Sequence, residues 1–86
     1  MIEQGCIVSS LKGHDTGRIY LVVKVEGEFA YVVDGNYRLL QNPKKKRIKH
    51  LHDLHEHFKS FKEKSEANKL YDFEIKKFLS GILHKD

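Results

Sequence analysis

Apolar residues gather in the first half of the chain as short runs at 6–8, 19–25 and 29–33, separated by polar turns that carry glycine. In the middle run Ile19, Leu21, Val23 and Val25 alternate with Tyr20, Val22 and Lys24, the two-residue period of a strand. The second face of that strand is too apolar to be simply wet, so a further element must cover it, and a C-terminal helix is the candidate. Glu26-Gly27-Glu28 and Asp34-Gly35-Asn36 read as hairpin turns, because glycine, asparagine and aspartate tolerate the left-handed region. The pattern thus predicts strands at 5–9, 18–25, 29–33 and 37–40, the last broken by Asn42-Pro43, since proline removes a ladder donor. A short closing strand follows at 48–51. Five short strands in about fifty residues suggest a small barrel over residues 3–54, because closure removes exposed edges.

Past Leu54 the β-branched runs end. Residues 55–70 read as a linker or weak helix, with little apolar content between Lys59 and Asn68 beyond Phe61 and Ala67. From Tyr71 the period becomes helical: Tyr71, Ile75, Phe78, Leu79 and Ile82 fall on one stripe, with Asp72 and Glu74 in the first turn. A helix over 71–83 is expected to pack its Tyr71/Ile75/Phe78/Leu79 stripe on the barrel or on a partner. Being short, it needs such a surface to persist.

The chain has 86 residues and a formal net charge of +4. Residues 1–50 hold nine Lys/Arg against five Asp/Glu, whereas residues 51–86 hold seven of each. The excess therefore belongs to the front half and peaks around Lys44–Lys49, which points to a polyanion partner. The single cysteine, Cys6, cannot form an internal disulfide and reads as a small buried hydrophobe. The first four residues do not begin an export signal, and no apolar segment approaches the ~20 residues that span a bilayer. A cytoplasmic monomer is expected, without membrane association.

Four constellations could carry chemistry. The run Lys44, Lys45, Lys46, Arg47 and Lys49, ending at His50, offers long flexible cations to a phosphate backbone; otherwise it is a solvated run guarding an edge strand. The letters Pro-Lys-Lys-Lys-Arg also imitate a nuclear import signal, partly inaccessible within a folded barrel. Lys12, Arg18 and Arg38 could extend the basic surface, or Arg18 and Arg38 could pair with Asp15 or Asp34. Tyr20, Tyr31 and Tyr37 could stack on unpaired bases or fill the core. Finally His50, His52, His55 and His57 form a metal-like pattern, but no cysteine joins them and their spacing suits neither one strand nor one helix face; surface histidines are the plainer reading. No catalytic arrangement stands out: Cys6 lacks a partnered histidine, Asp15 and Asp34 are turn residues, and no Gly-Lys-Ser motif is present. A non-enzyme without cofactor is expected.

Four motifs in order carry a resemblance: G-x-I-V-x-S at 5–10, G-H-D-T-G-R-x-Y at 13–20, D-G-x-x-R at 34–38 and N-P-K-K-K-x-x-K-H-L at 42–51. Together they resemble short bacterial KOW-domain RNA-binding proteins related to a group of archaeal and eukaryotic ribosomal proteins. More loosely, D-x-E-I-K-K-x-L at 72–79 is similar to that family's closing helix. Gly17 matches the glycine characteristic of the KOW motif. The resemblance implies an SH3-like barrel, RNA binding and an association with ribosomal RNA, the ribosome or translation. His14 departs from the basic residue expected there, and the histidine-rich stretch 50–57 has no counterpart. RNA contact is then expected through the 13–18 loop, with Lys12, His14 and Arg18, through Arg38, and through the 44–50 segment. The alternative is a protein-interaction module docking a translation or transcription factor by its barrel or helix.

Overall fold

The computed structural model describes residues 1–84. It is mainly β: β1 (Cys6–Ser10), β2 (Ile19–Glu26), β3 (Phe29–Val33), β4 (Lys44–Arg47) and β5 (Leu51–His57), followed by α1 (Phe61–Glu66) and α2 (Asp72–Leu83). One turn of 3-10 helix, Ile48–His50, joins β4 to β5. The strands form one antiparallel sheet in the order β4-β3-β2-β1-β5.

The two faces of β2 bury different clusters. Tyr20 and Val22 join Cys6, Val8, Ala30, Val32 and Leu51 in one cluster. A register shift between Val22 and Lys24 breaks the alternation, so Val25 packs against this same cluster rather than opposite it. Leu21 instead joins Ile7 and Val33 beneath Phe58, Phe61, Ile75 and Leu79. The helical layer therefore covers the Leu21 face, not the Tyr20/Val22 face assigned to it from the alternation.

Burial explains why α2 persists. Twelve residues make a marginal helix alone. Full burial of side chains such as Ile75 and Leu79 contributes roughly 1.5–3 kcal/mol each. Phe78 packs against Phe58 with ring centroids 5.0 Å apart. Tyr71 does not share this stripe; it is exposed and stacks on Phe73 at 5.6 Å. Ahead of α2, β5 runs on to His57, and α1 is a single short helix anchored by buried Phe61.

Three expectations need correction. The sheet is not closed into a barrel: β4 pairs only with β3 and β5 only with β1, so both remain edges. The 3-10 turn carries the chain from one edge strand to the other without a ladder between them. Residues 48–51 accordingly form that turn and the start of β5, not a separate closing strand.

Nor is there a strand at 37–40. Asp34 Oδ1 accepts the backbone N–H groups of Asn36 (2.9 Å) and Arg38 (2.8 Å), and Asp34 and Gly35 both donate to the Arg38 carbonyl. These bonds close a loop that docks on α2, where the Leu40 N–H donates to Asp72 Oδ1 at 2.8 Å. Only glycine fits at position 35: φ is +77°, and a Cβ would lie 2.2 Å from the Asp72 carbonyl oxygen. The fourth strand is instead Lys44–Arg47, the basic run itself.

Candidate nucleic-acid interface

As a strand, the basic run alternates. Its register sets Arg47 opposite Phe29, Lys46 opposite Ala30, Lys45 opposite Tyr31 and Lys44 opposite Val32. Lys46 shares its side of the sheet with Ala30 and is turned into the molecule, while Lys45 and Arg47 face out.

The inward side chain is held by the 13–18 loop. Thr16 donates to the Gly13 carbonyl through both its N–H (3.2 Å) and its hydroxyl (2.7 Å), and the Arg18 N–H donates to the Asp15 carbonyl. This tight loop points the Asp15 carboxylate inward, where it is 5 % exposed. One oxygen accepts from Lys46 Nζ at 2.9 Å and lies 2.8 Å from the Ser10 hydroxyl; the other accepts from Tyr20 at 2.6 Å and Lys44 Nζ at 3.0 Å. Lys46 also donates to Ser10 Oγ and to the Lys12 carbonyl. Burial alone would raise the Asp15 pKa, but the bonds from Tyr20, Lys46, Lys44 and Ser10 prevail and hold it well below the usual carboxylate range. Burial, then the hydrogen bond to Asp15 and its negative charge, push the Tyr20 phenol above its ordinary value.

Two predicted phosphate ligands are thus engaged elsewhere. Lys46 is buried in an ion pair, and Lys44, 30 % exposed, is half withdrawn by the same carboxylate. This also argues against the import-signal reading, which needs the whole run accessible. Asp15 takes lysines and Asp34 takes backbone N–H groups, so the pairings considered for Arg18 and Arg38 do not form among the described residues.

The outward side is different. Lys45 Nζ lies 4.3 Å and Arg47 Cζ 4.9 Å from the centre of the Phe29 ring, and Lys24 Nζ lies 5.4 Å from that of Tyr31. Neither ring belongs to the cluster under the helices, and both are half-buried with the cations exposed around them. The result is an aromatic floor bordered by Lys24, Lys45 and Arg47. Phe29 and Lys24 had not been singled out from sequence; once β4 is recognised, its pairing with 29–33 places both.

Around the edge of β4, positive charge continues. The imidazole of His50 is held below its ordinary pKa by burial and then by the charges of Lys12, Lys49, Lys46 and Arg47. His14 is exposed on the loop. Arg18 places its guanidinium 4.2 Å from the centre of the exposed Tyr37 ring, and Arg38, half-buried, closes the 34–38 loop with its backbone. Of the three tyrosines, Tyr20 is core, Tyr31 is half-buried beside Lys24, and Tyr37 is open to solvent.

His52, His55 and His57 lie on β5, His50 in the turn before it, and His55 sits at φ +58°. Among the described residues no group of three or more His, Cys, Asp or Glu side chains could hold a metal ion. Among the same residues no helix is long and apolar enough to cross a membrane. Compared with known proteins, the chain matches no protein-family model and no curated protein.

Proposed function

We propose that this chain is a non-catalytic RNA-binding module of SH3-like, KOW type, a cytoplasmic monomer that works on the ribosome or its RNA. The carrying observation is the outward face of β2–β4, where Lys24, Lys45 and Arg47 border the Tyr31 and Phe29 rings. Cations neutralise phosphates, and half-open aromatic faces accept bases without regard to their identity. Lys12 and Lys49 extend the positive field past the β4 edge.

The test is co-sedimentation with ribosomes from the source cells at low and high salt, beside RNA binding by fluorescence anisotropy. Wild type should bind at low salt and dissociate at high salt; the Lys45→Glu/Arg47→Glu variant should do neither, while Lys62→Glu/Lys69→Glu behaves as wild type. Equal behaviour of all three would remove the assignment.

A second reading rests on the stacked pair Tyr71 and Phe73, both exposed at the start of α2. Such a pair suits docking of a translation or transcription protein. Binding through it would respond little to salt, whereas RNA binding should lose affinity with a slope of ~0.7 per phosphate contact.

A further inference from the structure

A concave site lies beside the 13–18 loop. Its walls are Thr16 to Ile19, the loop at Asp34, Asn36 and Tyr37, and the side of α2 bearing Lys76, Leu79 and Ser80; its volume is about 500 Å³. Tyr37 is 69 % exposed, so core packing does not account for its position. Arg18 approaches this ring to 4.2 Å, making a guanidinium–phenol stack at the mouth of the groove. Ile19 and Leu79 supply apolar floor, and the bare Cα of Gly17 leaves open space, with nothing within 4 Å of where a Cβ would stand. Among the described residues the Lys76 ammonium makes no ion pair and the Asn36 side-chain amide no hydrogen bond.

We propose that this groove holds one unpaired nucleotide, its base stacked on Tyr37 and Arg18 and its phosphate facing Lys76. The proposal rests on the RNA-binding reading and adds that the RNA presents a single-stranded base beside the segment lying on β4. A planar base can extend a stack in which a guanidinium already lies over one face of the ring, and an amide such as Asn36 can meet a base edge. The charge is apt for one phosphate: Arg18 and Lys76 face one acid, Asp34, whose Oδ1 already accepts two N–H groups. A paired base could not enter, because both its faces are stacked within the helix. The site should therefore discriminate single strands from duplex, which cations alone do weakly.

The experiment compares wild type, Tyr37→Ala, Tyr37→Phe and Lys45→Glu/Arg47→Glu for binding to a labelled eight-nucleotide RNA strand and a twelve-base-pair RNA duplex. Adenosine monophosphate is titrated as a third ligand, with the Tyr37 ring signals followed by NMR. Wild type should prefer the single strand; Tyr37→Ala should weaken that binding about tenfold, within the range of one stacked base, and leave the duplex and the thermal midpoint unchanged. Tyr37→Phe should bind as wild type. Tight, saturable binding of the mononucleotide would show a free nucleotide to be the occupant and overturn the RNA-strand assignment. Tyr37→Ala equal to wild type on the single strand would overturn the pocket while leaving the β4 interface standing, since only Lys45→Glu/Arg47→Glu would then lose RNA. Wild type binding none of the three ligands removes both readings.

Discussion

Lys44 and Lys46 on one side of β4, and Lys45 and Arg47 on the other, differ by one residue in position and completely in surroundings. The inward pair shares the Asp15 carboxylate, which also accepts from the Tyr20 phenol and the Ser10 hydroxyl, with Lys46 buried and Lys44 half-buried. The outward pair meets the face of a single phenylalanine and solvent. A cation over an exposed ring gains only ~0.5–1 kcal/mol, whereas stripping the partner from a buried charge costs ~3–5 kcal/mol. The inward pair therefore serves the fold, and the outward pair is the half free to meet the proposed RNA. Charge counted along the chain overstates the exposed charge, because Asp15 consumes part of it.

The sharpest way to break this division is Asp15→Asn. It leaves Lys46 buried and Lys44 half-buried without their counter-ion, and a stability loss of ~3–5 kcal/mol is expected in urea unfolding. In a small domain that can be most of the margin. The same residue sets the acid response. Its folded pKa lies below its ordinary 3.8, so the stabilisation it brings is complete above that value and is lost as pH falls through it towards the folded pKa. Tyr20 acts at the other end: its pKa is raised from an ordinary 10.0, so its share is complete below pH 10 and is lost as pH climbs above it. Unfolding curves between pH 2 and 6 should be steeper for wild type than for Asp15→Asn; parallel curves would refute the role given to Asp15.

A smaller effect separates the two inward lysines. Lys46→Met removes the charge yet keeps an apolar stem, and Asp15 retains Lys44, Tyr20 and Ser10; a loss of about 2 kcal/mol is expected, between the buried and exposed limits. Lys44→Met, at a 30 % exposed side chain, should cost less than ~1 kcal/mol. Equal losses would mean that burial does not set the difference.

The physical origin of this pair also explains what the sequence could and could not disclose. The runs that became β2 and β3, and the stripe Ile75/Phe78/Leu79 of α2, were legible because their neighbours in sequence set their period. β4 was not, since it contains no apolar residue: its inward position is a lysine made acceptable by an aspartate 31 residues away. Tyr37 to Leu40 looked like a strand by composition, but Asp34 and Asp72 capture its backbone and Gly35 lets it touch α2. The aromatic floor was hidden for the same reason, because Phe29 meets Arg47 only through the β3–β4 register. The basic segment and the 13–18 loop were read as two separate RNA contacts, whereas the structure joins them through an internal ion network.

The least disruptive change is the most informative about function. Lys45→Ala and Arg47→Ala remove exposed side chains whose contacts are the Phe29 ring, so each should alter stability by less than ~0.5 kcal/mol. If both touch phosphates, the double variant should flatten the dependence of log K on log salt for single-stranded RNA by about 1.4, at ~0.7 per contact. Lys46→Met should leave that slope as it is, because its ammonium already faces Asp15. The two measurements therefore run in opposite directions along one strand: stability falls at Lys46 and holds at Lys45 and Arg47, while the salt slope holds at Lys46 and falls at the other two. A Lys46 variant that flattened the slope without losing stability would place its charge in solvent, and the alternation of β4 would fail with it.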